Sequence, residues 1–134
     1  MAATAAVTDQ FKQDILNGVH QPGDTYKIAL YTQAGASSFG KSTTAYTASG
    51  EIGGAGYTAA GAVLSGFTVG LSGDTATLTF TNPTWAASSF TADMALIYNH
   101  SRSDKALCVL LFTTQTSSGG TFTLSFTTVP ISIA

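Results

Sequence analysis

Charge is what this sequence has least of. Only 9% of its 134 residues are Asp, Glu, Lys or Arg, against roughly a quarter in an ordinary globular chain. The formal net charge of −2 argues against a protein that lives on nucleic acid, which would carry a basic patch. Cysteine occurs once, so an internal disulfide and a cysteine-based metal site are both excluded. Two histidines and scattered acids give no metal-ligand spacing, and no cofactor is implied. No apolar run approaches the length of a membrane span. The opening Met1-Ala-Ala-Thr-Ala-Ala-Val7 has no positive n-region and no long apolar stretch, so it does not read as a secretory signal, and a cytoplasmic site of synthesis is expected. Scarce charge does not mean disorder here, because hydrophobic residues make up 44% of the chain. A nearly uncharged surface tends to associate, so an oligomer or a part of an assembly is expected.

What is present is a β composition: 14 glycines, abundant Thr, Ser and Ala, little Lys or Glu. The two longest apolar runs are Met94-Ala-Leu-Ile-Tyr-Asn99 and Lys105-Ala-Leu-Cys-Val-Leu-Leu-Phe112, joined through the polar or charged stretch Asn99-His-Ser-Arg-Ser-Asp-Lys105. The second run is apolar on both of its alternating faces, so it needs cover on both sides. The pair reads as a long central hairpin, and Cys108 within it as a buried, inert thiol. Thr8 as N-cap and Phe11, Ile15, Leu16 and Val19 on one apolar face predict a helix over 8–19, with Asn17-Gly18 as its stop. Period-two alternation predicts strands at 25–32, 67–72, 75–81 and 121–127, with turns at Gln21-Pro-Gly-Asp24, Ser72-Gly-Asp74 and Ser117-Ser-Gly-Gly120, and Pro130 ending the pattern. The sum is one domain, mainly β: an antiparallel β-sandwich or jelly-roll-like fold with one N-terminal helix.

Several residues resemble catalytic or binding motifs. Gly35-Ala-Ser-Ser-Phe-Gly40-Lys41-Ser42 fits the P-loop pattern. A phosphate cradle needs a helix starting at Lys41, and the β-branched, Gly-broken stretch that follows does not supply one. His20 and His100 lie in polar turns where a solvated imidazole is expected, and no nucleophile in a strained turn accompanies His100 and Asp104. No catalytic residues are assigned. Asn99-His-Ser101 is a glycosylation sequon. Trp85, Tyr46 and Tyr57 could stack on sugars, but Trp85 is expected to plug the end of the sandwich.

Residues 33–62 break the pattern. They are rich in Gly, Ala, Ser and Thr, with Phe39, Tyr46, Ile52 and Tyr57 spaced along them. So long a segment without regular structure is usually functional. It has too few large apolar residues for a core of its own, and Gly50, Gly53, Gly54 and Gly56 loosen its backbone. Those four spaced residues are therefore the expected partner-binding site, and shortening 44–56 is expected to leave the domain folded.

Long stretches are similar to one known group. Thr8-Asp-Gln-Phe-Lys-Gln-Asp-Ile-Leu-Asn-Gly-Val-His20, Tyr26-Lys-Ile-Ala-Leu-Tyr-Thr32, Ser42-Thr-Thr-Ala-Tyr-Thr-Ala-Ser-Gly-Glu51 and Gly54-Ala-Gly-Tyr-Thr58 resemble a family of small virion proteins of tailed bacteriophages. Thr84-Trp85, Phe90-Thr-Ala92, Ala95-Leu-Ile-Tyr-Asn99 and Gly120-Thr-Phe-Thr123 look like the same family. The resemblance implies a non-enzymatic capsid decoration (cement) protein. It would bind the major capsid protein on the outer face of the head, often as a homotrimer, and it would touch neither nucleic acid nor membrane. The alternative is a phage tail component or a receptor- or carbohydrate-binding module.

Overall fold

A computed structural model describes residues 3–126 and 131–133. Its elements in chain order are β1 (Ala3–Val7), α1 (Asp9–Leu16), β2 (Tyr26–Tyr31), β3 (Ala62–Val63), β4 (Thr68–Ser72), β5 (Thr75–Thr79), β6 (Thr84–Ser88), β7 (Thr91–Asn99), β8 (Lys105–Thr116), β9 (Gly120–Thr123) and β10 (Ile131–Ile133). The protein is mainly β, with several antiparallel sheets and one short helix near its N-terminus, as a β-sandwich has.

The predicted hairpin is the centre. β7 and β8 pair antiparallel within a five-stranded sheet of order β1-β8-β7-β2-β3. The register slips between Ile97 and Tyr98, and such a bulge adds local twist. A three-stranded sheet of order β10-β5-β4 and a two-stranded pair of β6 and β9 complete the molecule.

The central sheet is buried on both faces, as its double-sided apolar runs require. On the first face, Ile28, Leu30, Ala95, Ile97 and Leu110 meet Phe11 of α1, Leu78 and Phe80, and the Trp85, Phe90 and Phe122 group. On the second, Ala29, Tyr31, Met94, Leu96, Tyr98 and Val109 meet Ala36, Phe39 and Tyr46. Residues 33–62 thus wrap one edge of the sheet: Phe39 and Tyr46 lie on its second face, Ile52 and Tyr57 on its first. Between them Glu51 runs alongside the end of β2, opposite Tyr31, and the Ile52 amide donates to the Leu30 carbonyl at 3.1 Å. The wrap requires close backbone approach. A Cβ on Gly61, at φ +85°, would fall 1.9 Å from the Ile28 carbonyl oxygen, and one on Gly50, at φ +82°, 2.3 Å from that of Gly35.

The helix is shorter than the predicted 8–19. Thr8 caps it as expected, accepting from the Phe11 amide at 3.1 Å. Asn17 closes it, and Gly18 at φ +64° turns the chain away. Phe11 and Asp14 form its buried row. Leu16, assigned to the apolar face from its spacing, is 90% exposed, because at 3.6 residues per turn it falls on the far side from both.

Candidate interaction surface

The four residues expected to bind a partner have partners inside the fold. Phe39 meets Tyr31 edge-on, with ring centroids 4.7 Å apart, and Tyr46 stacks on Tyr98 at 4.8 Å. Tyr57 lies against Phe90 at 5.7 Å, and Ile52 packs on the first-face core. Each is half-buried. A segment too poor in large apolar residues for a core of its own thus needs no external surface to order it: the second face of the central sheet and the open edge of β2 already do so.

Glu51, the single glutamate of the chain, fastens the wrap. Its carboxylate accepts the Tyr46 hydroxyl at 2.6 Å, the Tyr57 hydroxyl at 2.5 Å and the Ala60 amide at 2.8 Å. One carboxylate thus ties together phenols that pack on opposite faces of the sheet. The Tyr57 oxygen in turn accepts the Leu30 amide at 2.9 Å, so β2 keeps a partner where β3 does not reach. Tyr98 donates to the Ala60 carbonyl and Tyr31 to that of Thr47. Desolvation, then the hydrogen bond to Glu51, pushes the Tyr46 phenol up to about 12 and the Tyr57 phenol higher still. These hydroxyls stay protonated as donors.

A second polar cluster corrects the expectation of a solvated His20. Its side chain is 5% exposed, held between Asp14 and Asn99 and packed against Phe11. The Asn99 amide nitrogen donates to Nδ1 at 2.9 Å, which leaves Nε2–H to donate to Asp14 at 3.1 Å. Burial lowers the His20 pKa below its usual 6.5, outweighing Asp14, which raises it. Asn99 also donates to Asp24, and Arg102 grips Asp24 through two nitrogens at 2.8 and 3.0 Å. Those bonds hold the Asp24 carboxyl well below the usual range. The sequon asparagine is fully buried in this cluster. His100, in contrast, is exposed and pairs with Asp104 at 2.8 Å. A signal for the buried cluster exists in the sequence: Asp14 falls three residues after Phe11, on the helix face that points inward.

The remaining sequence candidates are structural. Residues 35–42 form turns, and the chain then enters an isolated bridge from Ala45 to Lys105, so no helix begins at Lys41. Thr43 is buried, with its hydroxyl accepting the Gly40 amide. Trp85 is buried against Phe122 and Phe90, as expected. Cys108 is fully buried, and burial pushes its thiol up.

The surface itself offers one feature that sequence reasoning missed. A groove of about 240 Å³ opens between α1 and the three-stranded sheet, lined by Phe11, Ile15, Val19, Val69, Leu78 and Ile131. On it apolar side chains stay in solvent: Ile15 of α1 and Val69 of β4, at 64% exposure, line it, and Leu71, at 78%, follows Val69 along β4. Val69 and Leu71 share the face of β4 whose β5 partners are Leu78 and Ala76. This face covers the core at its Phe67 and Phe80 end and overhangs it at the other. Period-two patterning showed the face, but not how far it projects beyond the core.

No protein-family model, curated protein or solved structure matches the chain.

Proposed function

We propose that this protein is a non-enzymatic structural component of a tailed-phage virion, which binds the outer surface of the head and stabilises the shell. The observation that carries the reading is the apolar overhang of α1 and β4. Contiguous exposed apolar surface beside a groove is the mark of an association site, and here it sits on a chain with 9% charged residues. The buried titratable groups support the same reading. Asp14, Tyr31 and Tyr98 are hydrogen-bonded within the fold, and His20, which lines the groove, has both ring nitrogens engaged, by Asn99 and by Asp14. The resemblance of the chain to small phage virion proteins supplies the particle, with the major capsid protein as partner and a homotrimer as the implied assembly. The alternative of a sugar-binding tail module drew on Trp85, Tyr46 and Tyr57, whose rings are engaged within the fold.

The test is sedimentation of the purified protein with heads that lack it, from the phage that encodes it. Saturable binding to heads, with a raised temperature of head disruption, is expected. Heads that sediment without it, while tails retain it, would contradict the assignment.

A further inference from the structure

β4 ends its sheet, and its outer edge is unpaired among the described residues. The register fixes which groups that edge presents. Ser72 and Thr75 pair across the two-residue turn Gly73-Asp74, and Gly73 has the positive φ of +63° that a type II′ turn needs at its first position. The pair flanking such a turn exchanges hydrogen bonds, and bonded pairs then alternate along the hairpin. Thr68, Gly70 and Ser72 therefore turn their amides and carbonyls toward β5, while Val69 and Leu71 turn theirs outward. The edge carries none of the usual protections. Thr68-Val-Gly-Leu-Ser72 has no charge and no proline, it has no bulge against β5, and both large side chains are exposed.

We infer that β4 pairs antiparallel with β4 of a second copy of this chain, about a two-fold axis through Gly70. The sequence around Gly70 is suited to that axis. Antiparallel pairing centred there sets Val69 opposite Leu71 of the copy, so the outward-facing groups of both residues meet as bonded pairs. Gly70 meets its own copy as the non-bonded pair, where Cα atoms approach to about 4.5 Å and side chains crowd most. Glycine leaves that position open. The axis runs perpendicular to the sheet, so the apolar faces of both copies fall on one side and the threonines on the other. Val69 and Leu71 of each copy then form one cross-strand apolar cluster, continuous with the groove beside α1. The result is a six-stranded sheet running β10-β5-β4 into its copy, with isologous contacts that close as a dimer, in place of the homotrimer that the resemblance implies. This inference rests on the reading of the overhang as an association surface, and it assigns that surface a partner.

Sedimentation equilibrium tests it with three variants of the full chain. Leu71→Pro removes an outward amide and leaves the β5 side intact. Val69→Lys places a charge on the strip. Either should raise the dimer dissociation constant at least about tenfold, the equivalent of 1.4 kcal/mol, with an unchanged circular dichroism spectrum. Gly70→Cys should cross-link copies on mild oxidation, because non-bonded Cα spacing falls in the disulfide range and Cys108 is buried. A wild-type chain that stays at 13.7 kDa, or an oligomer indifferent to the first two variants and not cross-linked by the third, overturns the inference. Under either result, head binding by the wild type would still stand for the proposed function. If Leu71→Pro abolished head binding by a monomeric wild type, the edge would belong to the capsid and not to a second copy.

Discussion

Two side chains near the sheet show how few polar residues hold this fold together. Tyr57 uses its hydroxyl twice, accepting the Leu30 amide and donating to Glu51. Tyr57→Phe keeps the ring packing and strands both partners, so it should cost about 1–3 kcal/mol, the penalty of an unsatisfied buried group. Urea denaturation checks this, and a loss below about 0.5 kcal/mol would mean that water replaces the hydroxyl. His20 gives a pH dependence of definite sign. Its folded pKa lies below 6.5, so as pH falls the unfolded chain takes up the proton first. A further proton on Nδ1 would face the Asn99 amide, while Asp14, Asp24 and Lys105 set the surrounding field. The His20 contribution is whole above pH 6.5 and is lost as pH falls from there through the lower folded value. Asp24 adds a similar loss only below 3.8. The melting temperature should therefore drop between about pH 7 and pH 5, and in His20→Gln that drop should shrink. A wild-type melting temperature that holds or rises over this interval would contradict the assignment.

Among the elements, the hairpin was legible because β7 and β8 carry long apolar runs, and β4 and β5 because theirs alternate with threonine. β1 and β6 were not, since Ala, Thr and Ser mark neither face. β10 is three residues long and follows Pro130, where the pattern was read as ending. The predicted strand at 121–127 is described as β9 to Thr123, and its last residue lies outside the described residues. The wrap at 33–62 was visible as a segment but not as a cover. Its aromatics follow no period, because their spacing is set by the sheet edge they cross. The sequence did show that the central strand needs cover on two faces; the supplier of the second cover was the missing link. The expectation for the shortened segment now reverses. Cutting 44–56 to a tight turn removes Tyr46 from Tyr98 and Glu51 from its three donors. That exposes a face on which Tyr31, Leu96, Tyr98 and Val109 are buried, at roughly 1.5–3 kcal/mol for each large apolar side chain uncovered. Such losses match the whole stability of a domain. The shortened chain should be unfolded or aggregated by circular dichroism and light scattering. A cooperative melt at the wild-type temperature would show that the wrap is dispensable.

For the molecule as a whole, polar and apolar resources are divided by place. Four charged side chains, Glu51 in its latch and Asp14, Asp24 and Arg102 around His20, lock the wrap and the α1 turn to the central sheet. The overhang of α1 and β4 is left apolar and open. A protein that stayed alone in solution would gain nothing from that division, whereas a component of a particle would bury the overhang on assembly. The proposed place on the phage head is tested most directly by an electron cryomicroscopy map of the particle produced with and without the gene for this chain. The account predicts density on the outer surface of the head, at regular lattice positions, that disappears when the gene is removed and into which the β-sandwich fits. Density confined to the tail, or heads identical in the two preparations, would contradict it.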